Sequence, residues 1–208
     1  MKLYTFPPSP NALRVQATAK QLGVELEEVM LNLGKGEQMQ PSFIKLNPNH
    51  TIPTLEDGDV VLTDSMAIMI YLAEKHPDGG LIPGDQRDRM RMYQWMAWNL
   101  TMFGPACGTM LFERLVKGLF NLGEPDAKEL AKAEERFHRF AKVLDDHLKG
   151  KDFIVGRNTT LADHAIGSQF VHEEAGAYPM DSYAEISRWW NGLRATDAWR
   201  KTLAQMQV

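Results

Sequence analysis

The chain opens on a short apolar and aromatic run, Lys2–Phe6, that stops at Pro7-Pro8, the pattern of a strand ended by residues that cannot extend a ladder. Leu13, Ala17 and Leu22 then keep helical spacing over Asn11–Leu22, with Gly23 as the stop. Val24, Leu26, Val29 and Leu31 stand among acidic neighbours and predict a second strand over Val24–Leu31. A polar stretch rich in Gly and Gln, Gly34–Gln40, leads to a short helix over Pro41–Leu46. Thr54–Glu56 and Val60–Leu62 flank Asp57-Gly58-Asp59, a hairpin signal. From Asp64 the run Met66, Ile68, Met69, Ile70, Leu72 and Ala73 is apolar nearly all round, which predicts a buried helix ended by His76-Pro77.

Read in order, these elements are strand, helix, strand, short helix, strand, strand, helix, a thioredoxin-like α/β arrangement expected to fill residues 1–77. Residues 78–86 concentrate Pro and Gly and read as a linker. Beyond them, over 87–208, only helical periods recur, predicting an all-α second domain. Leu130, Ala133, Phe137, Phe140, Leu144 and Leu148 line one face of a long helix that Gly150 ends. Thr160-Leu161-Ala162-Asp163 resembles a capping box with Asp in the third helical position, which makes Asp163 a structural acid. Two further helices are expected over Ser182–Ala195 and Ala198–Met206.

Residues 92–112 carry no charge, yet Gln94, Asn99, Gly104-Pro105 and Gly108 interrupt them, so a buried helix bent or broken at Gly104-Pro105 is expected rather than a membrane span. The 208 residues bear a net charge of −4, and the acidic excess lies in residues 1–78, with 6 Lys and Arg against 10 Asp and Glu. No basic patch for nucleic acid emerges. The single cysteine, Cys107, excludes an internal disulfide and is expected to be a small buried side chain. The start MKLYTFPPSP has no apolar stretch of signal-peptide kind, so the expected location is cytoplasmic. His138, His147, His164 and His172 stand in no ligand-like constellation, and no metal is assigned.

The segment LNPNHTIPTLEDGDVVLTDSMAIMIYL, residues 46–72, resembles the glutathione-binding half of glutathione transferases. The likeness extends to Ser9, Asn11 and Arg14, to LGKGEQMQPSF at 33–43, and to the cap at 160–163; the rest of the helical half matches in architecture only. On physical grounds Ile52-Pro53 is a place for a cis peptide bond, which X-Pro tolerates far better than other pairs. The resemblance implies that Ile52 then offers its backbone N–H and C=O to the cysteinyl part of glutathione, as an added strand would. It further implies that Ser65 and the helix N-terminus hold the γ-glutamyl carboxylate while Asp64 pairs with the ammonium. The family often has Asp or Glu, Ser and Arg in succession here; this chain has Met66 in the third place. Gln38 and His50 are further candidates for polar contacts, near the glycyl carboxylate.

Resemblance to the serine-type classes puts Ser9 at the sulfur. A serine hydroxyl is too weak a base to deprotonate a thiol, but as a hydrogen-bond donor it stabilises the thiolate. Asn11 competes, because its amide is also a donor and Ser9-Pro10-Asn11 resembles the TPN triplet of a bacterial class that reduces disulfides. The resemblance thus implies glutathione as co-substrate, a small electrophile as second substrate and a homodimer. Three activities remain open: conjugation, reduction of disulfides or peroxides, and regulatory binding with little turnover. Met102, Phe103 and Phe112 are the candidates for the wall of an apolar substrate pocket, since Met and Phe suit irregular apolar shapes.

Overall fold

A computed structural model describes residues 1–207. They form two compact units: Met1–Ile82 together with the stretch that begins at Thr196, and Pro83–Ala195. In the first unit β1 (Lys2–Thr5), α1 (Pro10–Gln21), β2 (Glu27–Met30), α2 (Pro41–Leu46), β3 (Thr54–Asp57), β4 (Val60–Leu62) and α3 (Ser65–Lys75) follow in the expected order. The sheet runs β2-β1-β3-β4, with β2 parallel to β1 and both β3 and β4 antiparallel to their neighbours.

Alternation along a strand sends successive side chains to opposite faces. Leu3 and Leu55, paired across β1 and β3, are fully buried with Leu13, Ile68, Met69 and Leu72. Tyr4, on the other face, meets Phe43 of α2 edge to face at 5.6 Å. The tight turn between β3 and β4 has Gly58 at φ 64°, a left-handed conformation that favours glycine. β2 is shorter than its apolar pattern predicts, for two reasons. Its ladder is limited by the four residues of β1, and the N–H of Val24 is taken by Ala19 C=O at 2.8 Å, closing the end of α1 instead.

The second unit opens with α4 (Gln86–Trp98), which Asp85 caps by accepting from Asp88 N–H at 3.0 Å. The chain then stays helical through a wide, π-helical turn (Asn99–Phe103), α5 (Gly104–Leu111), a second wide turn (Phe112–Val116) and α6 (Lys117–Leu119). Of the bend or break expected at Gly104-Pro105, the break is absent, and a wide turn directly precedes the pair. Proline has no N–H to give and its ring crowds the carbonyl four residues back, a conflict that the wider ladder relieves. Gly104 is needed there by close approach, since a Cβ would lie 2.7 Å from Asn99 C=O. Among the described residues no helix is long and apolar enough to cross a membrane.

Three more helices, α7 (Ala127–Leu148), α8 (Leu161–Gly167) and α9 (Ala184–Arg194), complete this unit. The apolar face of α7 is as read from its spacing, except that Leu130 is only partly covered and Ala141 joins the buried set. The last helix, α10 (Asp197–Ala204), was expected with the helical half but belongs to the first unit, where it packs on α1. Its short amphipathic face of Ala198, Trp199 and Thr202 is covered there. Helical periodicity announces such a face without saying which partner covers it.

Asp163 ties the second unit together. Its Oδ2 accepts from Thr160 N–H at 2.9 Å and Thr160 Oγ1 at 3.1 Å, and its Oδ1 accepts from Ile154 N–H at 2.9 Å and Trp189 Nε1 at 3.0 Å. The capping box is thus one half of a wider junction that also holds the 149–160 loop and α9. Burial pushes the Asp163 carboxyl up, against the pull of its four donors. Asp163→Ala strands all four inside the core, and we expect it to lower unfolding stability by about 2–5 kcal/mol, more than an ordinary cap is worth. Urea titration followed by tryptophan fluorescence measures this; a loss under about 1 kcal/mol contradicts it.

The next residue, His164, is fully buried, and burial pulls its pKa down to about 3. In the unfolded chain it protonates below about 6.5, in the fold only near 3, so its contribution to stability is whole above the first value and is lost as pH falls toward the second. His164→Gln should flatten the difference in stability between pH 7 and pH 4 relative to the parent protein. Parallel slopes in paired denaturation series at the two pH values refute this.

Candidate functional site

The sheet register brings the candidate residues of the first unit to one end. Tyr4 pairs with Thr54 and Leu55 with Leu62, so the C-terminal end of β1, the N-terminal end of β3 and the C-terminal end of β4 coincide. β2, parallel to β1, finishes at the same end. Four connections therefore emerge together: Phe6–Ser9, the 31–40 loop, the loop before Thr54, and Thr63–Ser65.

Ser9 follows β1 and caps α1. Pro10 opens the helix at a position where its missing N–H costs nothing. The Ser9 Oγ accepts from Ala12 N–H at 3.4 Å, a long cap bond, while its own hydroxyl donates to no acceptor among the described residues. Asn11 lies exposed on the first turn. Both candidate donors thus stand at the positive end of the α1 dipole, and Ser9 sits at its tip.

The loop before β3 contains the cis bond at Ile52-Pro53, as the sequence suggests. His50, at φ 56°, makes the sharp backbone turn before it. What holds this loop was missed from the sequence: Asn47, which is fully buried. Its Nδ2 donates to Thr51 C=O at 2.8 Å, to Thr51 Oγ1 at 3.2 Å and to Thr54 Oγ1 at 2.9 Å, and its Oδ1 accepts from Asn49 N–H at 3.0 Å. One amide side chain thus ties both ends of the segment that presents Ile52. The available signal was the leading Asn of NPNH, because Asn before Pro commonly bonds its own turn.

At the fourth connection Asp64 caps α3, its Oδ1 accepting from Met66 N–H at 2.9 Å and Ala67 N–H at 3.1 Å. Ser65, the first helical residue, is buried. In the 31–40 loop Gln38 holds its Oε1 buried without a partner among the described residues. Such an atom costs free energy unless something donates to it, and a bound ligand is one such donor.

In the second unit Met102 and Phe112 are 43% and 41% exposed. Phe103 is a correction: it is fully buried, stacked on Trp98 at 5.4 Å and packed against Phe137 and Phe170, so it belongs to the core. Successive helical residues point about 100° apart, so Phe103 can face the core while Met102 beside it is exposed. Cys107 is buried, and burial pushes its thiol well up, away from thiolate chemistry. Among the described residues no three His, Cys, Asp or Glu side chains group as a metal site would.

Comparison with known proteins follows the same division. The family described as "Glutathione S-transferase, N-terminal domain" matches residues 1–74, and "Glutathione S-transferase, C-terminal domain" matches 93–197. "Glutathione S-transferase D7" of Drosophila melanogaster is 32% identical over 210 residues, covering 100% of this chain and 90% of its own. "Glutathione S-transferase 3" of Zea mays is 32% identical over 217 residues, covering 100% and 95%. A solved glutathione transferase family member from Pseudomonas fluorescens, with two glutathione bound, superposes with a TM-score of 0.86 at 27% identity, covering 97% of this chain and 91% of its own.

Asn47→Ala removes one donor group shared by three acceptors and frees the 47–54 loop. The expected outcome is a stability loss of about 1–3 kcal/mol, with faster amide exchange confined to residues 49–54 and their strand partners. Hydrogen exchange read by mass spectrometry decides; uniform protection of that loop in the variant counts against the assignment.

Proposed function

Because the chain belongs to the glutathione S-transferase family in both of its domains, we propose that it conjugates the thiolate of glutathione, held by Ser9, to small, mainly apolar electrophiles. One observation carries this reading: at a single end of the sheet meet a free hydroxyl proton on a helix tip, a backbone segment displayed by a cis proline, and a helix N-terminus headed by Asp64 and Ser65. These suit a thiol, an amide backbone and an amino-acid head group, the three parts of glutathione. Ile52 gives its N–H and C=O to the cysteinyl amide, Ser65 and the open N–H groups of α3 take the γ-glutamyl carboxylate, and Asp64 takes the ammonium. Gln38, whose orphan oxygen awaits a donor, and His50 serve the cysteinyl-glycine end.

Ser9 then does one thing: it donates a hydrogen bond to sulfur. With a thiol reference of about 8.5, about 3% is thiolate at pH 7; a downward shift of roughly two units raises that to about three quarters. The α1 dipole pushes the same way. The proton leaves to solvent, and the bound thiolate attacks an electrophile held beside it, so positioning and thiol activation supply the catalysis. Met102 and Phe112, both exposed on the second unit, are our candidates for apolar contact with an acceptor. A cytoplasmic homodimer is the setting we propose.

Ser9 is preferred over Asn11 because it stands at the tip of α1, whereas the Asn11 side chain is exposed two residues further on, within the first turn. Ser9→Ala should therefore raise the pKa of the bound thiol and lower kcat for an aryl halide by about 10–100-fold, the scale of one to two pKa units. Asn11→Ala should matter less. Thiolate absorbance of bound glutathione against pH, run with turnover on an aryl halide and on a small glutathione disulfide, tests both. An unchanged titration in Ser9→Ala removes Ser9 from the role, and a larger loss in Asn11→Ala with faster disulfide turnover favours a reductase instead.

A further inference from the structure

Beneath the N-terminus of α3 lies a charge that the reading above does not use. Arg14, on the second turn of α1, is 1% exposed, and its Nη1 lies 3.9 Å from the sulfur of Met66. A guanidinium withdrawn from water is costly unless an anion faces it. Burial pulls the Arg14 pKa down to about 10, and the negative charge of Asp64 acts the other way. Asp64 is itself tethered by one oxygen only. Both of its backbone donors bond Oδ1, while Oδ2 takes no donor among the described residues.

The arrangement is a relay of alternating sign: buried cation, half-engaged carboxylate, open oxygen. We propose that Arg14 is the positioning residue of the head-group end of the site, its buried charge beneath the start of α3 holding the Asp64 carboxylate with Oδ2 left to receive an ammonium. Position 66 is the neighbouring point from which a cation could do the same. Its side chain here is an uncharged thioether, and the charge arrives from α1 instead, with the Met66 sulfur as a soft contact for the guanidinium. Arg14 touches no substrate in this scheme; it acts through Asp64. The proposal rests on glutathione as the ligand.

The test compares two ligands on the full chain by calorimetry: glutathione, and glutaryl-cysteinylglycine, in which hydrogen replaces the ammonium. The parent protein should prefer glutathione by about tenfold or more, the scale of one charged contact. Arg14→Met should reduce that preference to about threefold or less, and the charge swap Arg14→Met with Met66→Arg, which returns one cation to nearly the same place, should restore most of it. A merely structural arginine would alter both affinities together and leave their ratio alone. An unchanged ratio in folded Arg14→Met, or a swap that folds without regaining the ratio, overturns the proposal. If Arg14→Met does not fold, the swap alone decides by the same ratio, and failure of both to fold makes Arg14 part of the fold only and likewise overturns it. A parent protein that binds neither ligand overturns the glutathione reading itself, a result distinct from the others.

Discussion

The pairing of β1 with β3 is the constraint on which the first unit depends. Tyr4 opposite Thr54 fixes which chain ends meet, and a slip of one residue would turn Leu3 and Leu55 from the core toward the opposite face. The same slip would part Ser9 from Ile52. Core and site are therefore specified by one register, and burial of two leucines enforces the placement of a hydroxyl several residues away. Asn47 closes the remaining freedom by tying Thr51 and Thr54 to the end of α2.

The sequence revealed elements wherever periodicity and punctuation agree. α1, the β3–β4 hairpin, α3 and α7 stand where their spacing and their flanking Gly, Pro and Asp put them. The caps were legible too, because Asp64 and Asp163 stand where a helix start needs an acceptor. Less legible were features set by distant partners. The end of β2 depends on the length of β1, the home of α10 depends on the uncovered face of α1, and the burial of Phe103 depends on Phe137 and Phe170, which lie far along the chain.

For the candidate site the same line holds. Ser9, Ile52-Pro53, Asp64 and Ser65 are read from local signals and are brought to one sheet end by topology. Asn47 and Arg14 are polar residues whose importance comes from being buried, which composition alone does not reveal. In the helical unit Asp163 shows how a local signal can understate a residue: two of its four donors, Ile154 and Trp189, come from outside the cap that betrays it.

The two wide turns between α4 and α6 have a consequence of phase. Each inserts one residue into the 3.6-residue cycle, so every side chain downstream is rotated by about 100° about the axis relative to an unbroken α-helix. A single stiff rod thereby changes which side it shows to the interior without a loop and without interrupting its hydrogen-bonded ladder. Half-buried Trp98 can stack on Phe103 in the core while Met102, one residue away, faces solvent. The rod's outward apolar side is thus set by where the extra residues fall, and moving one of them would re-aim that side while leaving the composition of the chain unchanged.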